Sequence, residues 1–199
     1  MLVIGLVGAT GAGKTQVLRI FESLGARAVA ADELSREVLA PGAPSLSTVR
    51  EAFGDAYFDA EGSLIRKALG NLIFTDETAR RRLDAIVHPL MTDLLRQKLE
   101  QWRHANVAVA VVESAVLEEM GALSLVDVLV RVDAPRELRA ARLQARDHLT
   151  AAEAEARLQA HERLALDAPA TDYAIINDNN DESLRRRVEQ LWRTLVSES

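Results

Sequence analysis

A glycine-rich stretch directly after the first apolar run constrains the fold of this chain more than any other feature. Residues 8–15 read GATGAGKT and match the phosphate-binding pattern G-x-x-x-x-G-K-[ST]. In that pattern, backbone N–H groups surround phosphate oxygens, the lysine neutralises their charge and the hydroxyl binds magnesium. The predicted nucleotide-binding residues are Gly8, Ala9, Thr10, Gly11, Ala12, Gly13, Lys14 and Thr15.

The residues on either side of this loop favour the same interpretation. The apolar run Leu2–Val7 is typical of a buried strand, and residues 15–21 carry apolar side chains at helical spacing. The loop therefore joins a strand to a helix N-terminus, where N–H groups point outward and favour anions. A turn that only connects the two elements would not need Lys14 or Thr15 at these positions. We expect an α/β protein in which Thr15 is the metal ligand.

The composition of the chain argues against several classes of binding partner. A chain of 199 residues fits one α/β domain with small insertions. Its net charge of −6 argues against broad binding to nucleic acid or to an anionic membrane. The absence of cysteine rules out disulfides and suits a reducing compartment. We therefore expect a cytoplasmic protein. Because no apolar stretch is long enough to span a bilayer, we expect no membrane partner.

The second predicted strand, residues 26–31, leads directly to Asp32. Ligands of open parallel sheets bind beyond the carboxyl ends of the strands, so Asp32 is expected near the phosphate-binding loop. A carboxylate in that place can take a proton from an attacking hydroxyl. Alternatively, Asp32 caps a helix that begins at Glu33. The residues alone leave both interpretations open.

A long helical stretch follows. From Leu64 the apolar pattern is helical for about forty residues, with a break predicted near His88-Pro89 because proline disfavours helical geometry in the residue before it. This stretch is too long for a simple crossover between strands. We expect a helical subdomain beside the sheet that presents Arg66 and His88 to a second ligand.

The remaining strands complete a parallel sheet. Residues 107–112 are continuously apolar, as expected of a strand covered on both faces, and Glu113 ends them. Residues 126–132 and Tyr173–Ile176 are the next two strands, and a helix is predicted over residues 181–196. The four histidines show no spacing typical of a zinc site.

Arginines recur between the last two strands. Four of them follow helical spacing, and two more lie on the next predicted helix. On spacing alone, a solvated face is the favoured interpretation. Its acidic partners would be Glu137, Asp147, Glu153, Glu155 and Glu162. Beside a phosphate-binding loop, the same arginines can close over a nucleotide and stabilise a transferring phosphoryl group. They are Arg136, Arg139, Arg142 and Arg146, followed by Arg157 and Arg163.

Several further motifs resemble those of the dephospho-CoA kinase family, from the first strand to the last helix. Asp32 falls on the second aspartate of the family's D-x-D pattern, and Arg142, Arg146 and Arg157 fall on its lid arginines. The other matching motifs are Pro41-Gly42-x-Pro44, Phe53-Gly54, Leu64-x-Arg66, Ile73-Phe74, His88-Pro89-Leu90, Glu113 with Leu117-Glu118, Val132-Asp133-Ala134-Pro135 and Asp172-x-x-Ile175-x-Asn177.

The resemblance implies a P-loop NTPase fold with three layers and a mostly parallel five-stranded sheet. It implies a nucleotide-binding core of residues 1–54, 105–135 and 170–199, a helical CoA-substrate subdomain of residues 55–104 and a helical lid of residues 136–169. The implied reaction is phosphorylation of the ribose 3′-hydroxyl of dephospho-CoA by ATP with Mg²⁺. Two alternatives are another small-molecule kinase with this loop, and a nucleotide-binding regulator with weakened catalysis.

The resemblance also implies roles for individual residues. The implied catalytic residues are Asp32 as general base, Lys14, Arg142 and Arg146, the last of which also binds the nucleotide. The implied acceptor-binding residues are Asp32, Arg66, His88, Glu113 and Arg157. The chain departs from the family pattern at Ala30, His161 and Asp167. ATP and dephospho-CoA are the expected partners of a monomer or small homo-oligomer.

Overall fold

Five strands form the centre of the protein. The structure is a computed structural model that describes residues 1–164, 170–178 and 180–197, with only the backbone described at 160–164. The strands are β1 (Leu2–Val7), β2 (Arg27–Ala30), β3 (Val109–Glu113), β4 (Val128–Asp133) and β5 (Tyr173–Ile176). They pair in the order β2-β3-β1-β4-β5, and every pairing is parallel.

Helices connect the strands and pack on both faces of the sheet. They are α1 (Lys14–Ser23), α2 (Ala31–Val38), α3 (Ser45–Phe53), α4 (Arg66–Thr75), α5 (Glu77–His104), α6 (Arg136–Asp147), α7 (Ala151–Leu164) and α8 (Asp181–Ser197). Although α5 has the length to cross a bilayer, no helix in the described ranges is also apolar enough to do so.

Three layers result from the alternation of side chains along the strands. On β1, Val3 points to one face of the sheet, and Ile4 and Leu6 point to the other. The face with Ile4 and Leu6 packs against α1 and α8, and the opposite face packs against α2, α3 and α5. The predicted α/β fold with a parallel five-stranded sheet is confirmed.

The glycine at the middle of β1 allows two leucine side chains to pack directly against the strand. A Cβ atom at Gly5 would lie 2.8 Å from Leu129 Cδ2 and 3.0 Å from Leu117 Cδ2. Both leucines belong to the apolar cluster on the face of the sheet that contains Val3. Gly5 therefore leaves room for these leucines where a larger side chain would collide with them.

The long helical stretch breaks at Asp76, and the predicted break at His88-Pro89 is wrong. Asp76 Oδ1 accepts a hydrogen bond of 3.0 Å from the Ala79 N–H and caps α5, which then continues through Pro89. One buried stripe runs along both sides of Pro89: Leu83, Val87, Met91, Leu95 and Leu99. Packing along this stripe outweighs the hydrogen bond that proline cannot donate.

We expect Leu95→Ala to lower the free energy of unfolding by about 2–5 kcal/mol, because it leaves a cavity at a fully buried position. The measurement is equilibrium unfolding in urea followed by circular dichroism.

Leu90→Ala is the matched control on the same helix. Leu90 is 40% exposed, so the same substitution should cost about 1 kcal/mol or less. Equal losses for the two variants would contradict the burial assigned to α5.

Candidate active site

The phosphate-binding loop adopts a conformation that only glycine permits at two positions. Gly8 follows β1 with φ of 142°, and a Cβ atom there would lie 2.3 Å from the Val132 carbonyl oxygen. Gly13 precedes the first turn of α1 with φ of 92° in the left-handed region. These glycines bring the loop against the end of β4 and place the N-terminus of α1 beside it. The loop can therefore hold phosphate oxygens on backbone N–H groups.

Asn177 is packed directly beneath the loop. A Cβ atom at Gly13 would lie 2.2 Å from Asn177 Nδ2. The Asn177 side chain is buried and donates to the Ala12 carbonyl at 3.1 Å and to Gln16 Oε1 at 3.2 Å. Asn177 lies just after β5, so the last strand supplies a support for the first loop. It belongs to a motif that the sequence analysis noted, but it was not predicted as a site residue.

Arg142 binds the same loop from α6. Its Nη1 donates to the carbonyls of Gly11 and Ala12, both at 3.1 Å, and its Nη2 donates to Asn177 Oδ1 at 2.9 Å. The guanidinium group thus contacts the backbone carbonyl side of the loop. The catalytic role predicted for Arg142 stays a prediction, while its contact with the loop is a feature that the sequence did not reveal.

Lys14 and Glu113 form an ion pair at the edge of the loop. Lys14 Nζ lies 3.7 Å from Glu113 Oε1 and donates to the Gly8 carbonyl at 3.0 Å. The two side chains are only 11% and 16% exposed. Burial lowers the pKa of Lys14, although the charges of Glu113 and Asp32 act in the opposite direction. Burial also raises the pKa of Glu113, against the effect of Lys14.

Asp32 lies in the first turn of α2 with an exposed side chain. The helix begins at Ala31, and its N-cap residue is Ala30, which makes no side-chain capping hydrogen bond. The alternative that Asp32 caps a helix starting at Glu33 is therefore wrong, because Asp32 is already inside the helix. Its charge contributes to the pKa of Lys14 and of Glu113, so the carboxylate lies within electrostatic range of the loop.

Thr15 offers an exposed hydroxyl group in the first turn of α1, next to Lys14. In the described part of the chain, no group of three or more His, Cys, Asp or Glu side chains is placed to hold a metal ion. Mg²⁺ commonly uses one or two protein oxygens together with substrate phosphates and water. The arrangement of Thr15 beside the loop, with Asp32 and Glu113 nearby, fits that mode of binding.

Arg146 and Arg157 meet at one carboxylate. Arg146 donates from Nε and Nη2 to the two oxygens of Asp147, at 2.7 and 2.8 Å, and Arg157 Nη1 donates to Asp147 Oδ2 at 2.8 Å. The charge of Arg146 lowers the pKa of Lys14, which places this arginine within electrostatic range of the loop. Asp147 was not predicted as a site residue. The solvated-face interpretation anticipated it only as one of several acidic partners.

Arg66 and His88, predicted to bind the acceptor, are held by the protein in this structure. Arg66 Nη2 donates to the carbonyls of Arg36 and Leu39, at 3.0 and 2.9 Å, at the end of α2. His88 Nδ1 lies 3.2 Å from the Glu119 carbonyl oxygen. These contacts tie α4 to α2 and α5 to the segment after β3. Acceptor binding by either residue stays a prediction.

Comparisons with known proteins agree over nearly the whole chain. The sequence profile of dephospho-CoA kinase matches residues 2–183. Dephospho-CoA kinase from Geobacter sulfurreducens is 41% identical over 192 residues, which are 96% of this chain and 98% of that protein. The chain belongs to the dephospho-CoA kinase family. The resemblance inferred from the motifs is thereby confirmed.

Solved structures share the fold of this member of the dephospho-CoA kinase family. The crystal structure of TT1252 from Thermus thermophilus is 25% identical with a TM-score of 0.77, and covers 98% of this chain and 97% of its own. Dephospho-CoA kinase from Campylobacter jejuni is 22% identical with a TM-score of 0.70, over 98% of each chain. The second likeness supports the fold alone.

The first aspartate of the dephospho-CoA kinase D-x-D pattern is replaced by Ala30 in this chain. The pairing of the strands shows which residue lies beside it. Ala30 of β2 is the register partner of Glu113 of β3. Register partners on neighbouring parallel strands point to the same face, so an aspartate at position 30 would lie beside the Glu113 carboxylate. Asp167 lies outside the described residues, as do the side chains of His161 and Arg163.

We expect Gly13→Ala to destabilise the protein and weaken ATP binding. The left-handed conformation costs about 1–2 kcal/mol for a residue with a Cβ atom. The clash with Asn177 adds about 1–3 kcal/mol, because the buried amide must give up its hydrogen bonds. The measurements are thermal unfolding and calorimetric titration with a non-hydrolysable ATP analogue.

Gly42→Ala separates the two effects. Gly42 has φ of 80°, but nothing lies within 4 Å of a Cβ atom built there. This control should show the conformational cost alone and should bind the analogue like the unmodified protein. A Gly13→Ala variant no worse than the control would contradict the packing of Asn177 against the loop.

Proposed function

We propose that the protein transfers the γ-phosphoryl group of ATP to the ribose 3′-hydroxyl of dephospho-CoA, giving coenzyme A and ADP. The observation that carries the proposal is family membership over nearly the whole chain, with a dephospho-CoA kinase 41% identical across 96% of it. The phosphate-binding loop supports the donor half of the reaction. The carboxylate of Asp32 within electrostatic range of that loop supports the acceptor half.

ATP binds with its phosphates on the loop from Gly8 to Thr15. Backbone N–H groups of the loop and the N-terminus of α1 hold the phosphate oxygens. Lys14, already buried at this edge of the loop, neutralises the β- and γ-phosphates. Thr15 would hold Mg²⁺, which would neutralise charge on the phosphate oxygens.

The acceptor hydroxyl is deprotonated at Asp32. As the 3′-oxygen attacks the γ-phosphorus, the Asp32 carboxylate takes the proton, and the bond from the γ-phosphorus to the bridging oxygen of ADP breaks. The exposed position of Asp32 in α2 leaves it accessible to a bound ribose. No covalent intermediate on the protein is needed. Positioning and charge stabilisation supply most of the rate enhancement.

The other site residues hold the acceptor and stabilise charge. Arg66, His88, Glu113 and Arg157 are assigned to the acceptor side, and Arg142 and Arg146 to the phosphate side. In the corresponding division of the chain, residues 55–104 bind dephospho-CoA, residues 136–169 form a lid, and residues 1–54, 105–135 and 170–199 bind the nucleotide. The link from Arg66 to the end of α2 supports this division, because it connects the acceptor region to the helix that carries Asp32.

A coupled assay tests the function directly. The purified protein is supplied with ATP, Mg²⁺ and dephospho-CoA, ADP formation is followed, and the product is identified as coenzyme A by mass spectrometry. Adenosine, nucleoside monophosphates and shikimate serve as competing acceptors. Turnover with one of these but not with dephospho-CoA would point to another small-molecule kinase. Binding of ATP without turnover of any acceptor would point to a regulator.

We expect Asp32→Asn to lower kcat about 100- to 10,000-fold, because the amide cannot accept the proton in the transition state. ATP affinity should change little, since Asp32 contacts the acceptor. The measurements are steady-state kinetics with dephospho-CoA and calorimetric titration with the ATP analogue.

Glu33→Gln is the matched control. Glu33 is the next residue in the same exposed first turn of α2, so this variant removes one negative charge at nearly the same place. Its kcat should stay close to that of the unmodified enzyme. If both variants slow the reaction equally, the effect is a general change of local charge and Asp32 is not the base.

A further inference from the structure

We propose that Asp147 is a positioning residue that holds Arg146, on the phosphate side, and Arg157, on the acceptor side, in one preorganised arrangement for transfer of the phosphoryl group. The inference rests on the proposed function. Asp147 itself would touch neither substrate. It would act through the two arginines whose hydrogen bonds it accepts.

The contact joins two helices at a sharp corner. Asp147 is the last residue of α6, and His148 follows it in the left-handed conformation with φ of 54°. Arg157 comes from the middle of α7, which packs against α6 around Leu143, Ala154 and Leu158, all fully buried. One carboxylate therefore links a side chain of each helix next to the turn between them.

The placement of Asp147 needs an explanation, because helix geometry opposes it. The C-terminus of a helix carries a partial negative charge and favours cations such as Arg146 over a carboxylate. The hydrogen bonds from Arg146 offset this repulsion and hold the pKa of Asp147 below its ordinary value. The two arginines whose hydrogen bonds it accepts account for a carboxylate at such a position.

Arg146 remains able to bind an anion while Asp147 holds it. Arg146 uses the edge formed by Nε and Nη2 for Asp147, which leaves Nη1 for another acceptor. The pKa of Arg146 is raised first by its hydrogen bonds to Asp147 and also by the charge of Asp32. Arg146 is thus held by Asp147 and at the same time lies within electrostatic range of the predicted base. These contacts indicate that Asp147 orients Arg146 and does not block its binding to another anion.

Replacing the carboxylate tests the proposal. Asp147→Asn should lower kcat about 10- to 100-fold, because the arginines lose their shared anchor and a displacement of about 1 Å is costly in a transition state. KM for ATP should change less than about threefold, since the loop binds most of the triphosphate. Asp147→Glu keeps the charge and should recover part of kcat. Thermal unfolding of both variants checks that the fold is retained.

Glu189→Gln is the matched control. Glu189 accepts a hydrogen bond of 2.9 Å from Arg185 on the outer surface of α8. This variant therefore also removes a carboxylate that forms an ion pair with an arginine. Its kcat should equal that of the unmodified enzyme. A general dependence on surface ion pairs would slow this variant as well and would overturn the role of Asp147.

The decisive experiment repeats Asp147→Asn in a background that carries Arg146→Met and Arg157→Met. If Asp147 acts through the two arginines, removing its charge there has no further effect on kcat. The proposal would be overturned if Asp147→Asn lowers kcat by the same factor in both backgrounds. An unchanged or raised kcat for Asp147→Asn alone would also overturn it.

The two proposals fail in different ways. If the unmodified protein does not phosphorylate dephospho-CoA, the proposed function fails. The variant series is then measured by hydrolysis of ATP with water as acceptor, which also requires charge stabilisation of the phosphoryl group. The positioning role would still be supported if Asp147→Asn slows ATP hydrolysis in the unmodified protein but causes no further slowing in the background with Arg146→Met and Arg157→Met. Unchanged hydrolysis would overturn it.

Discussion

A phosphate-binding loop must leave its N–H groups free for phosphate, while its carbonyl groups need partners inside the protein. In this structure, side chains from three parts of the chain supply those partners. Lys14 donates to the Gly8 carbonyl, Arg142 to the carbonyls of Gly11 and Ala12, and Asn177 to that of Ala12. The conformation of the loop therefore depends on α6 and on the end of β5 as much as on its own glycines.

This dependence links the loop to the arginines beyond it. Arg142 and Arg146 lie one turn apart on α6, so the helix that contacts the loop backbone also carries the arginine whose charge lowers the pKa of Lys14. Asp147 ends that helix and joins Arg146 to Arg157 on α7. The contact of Arg142 with the loop thus anchors α6, against which α7 packs.

Local sequence patterns were enough to predict the helices and strands, but not all of the residues at which they begin and end. The loop, the five strands and the final helix follow from glycine spacing and apolar periodicity, which neighbouring residues largely determine. The break predicted at Pro89 is wrong because burial along α5 outweighs the local preference of proline. The alternative that Asp32 caps a helix, left open by the sequence, is wrong because α2 begins before that residue. The error at Pro89 concerns a place where tertiary packing competes with a local rule.

The sequence by itself determined the chemistry of the loop, the parallel α/β architecture and the family, since each is encoded by residue types at short, regular spacing. Only the tertiary structure decided the partners of the charged groups. Lys14 meets Glu113, and Arg142 meets Asn177, across long intervals of chain. Such pairs depend on strand order and helix packing, which bring distant residues together without a signal in either local pattern. Physical proximity of charge in the fold, and not spacing along the chain, therefore sets the electrostatics of this site.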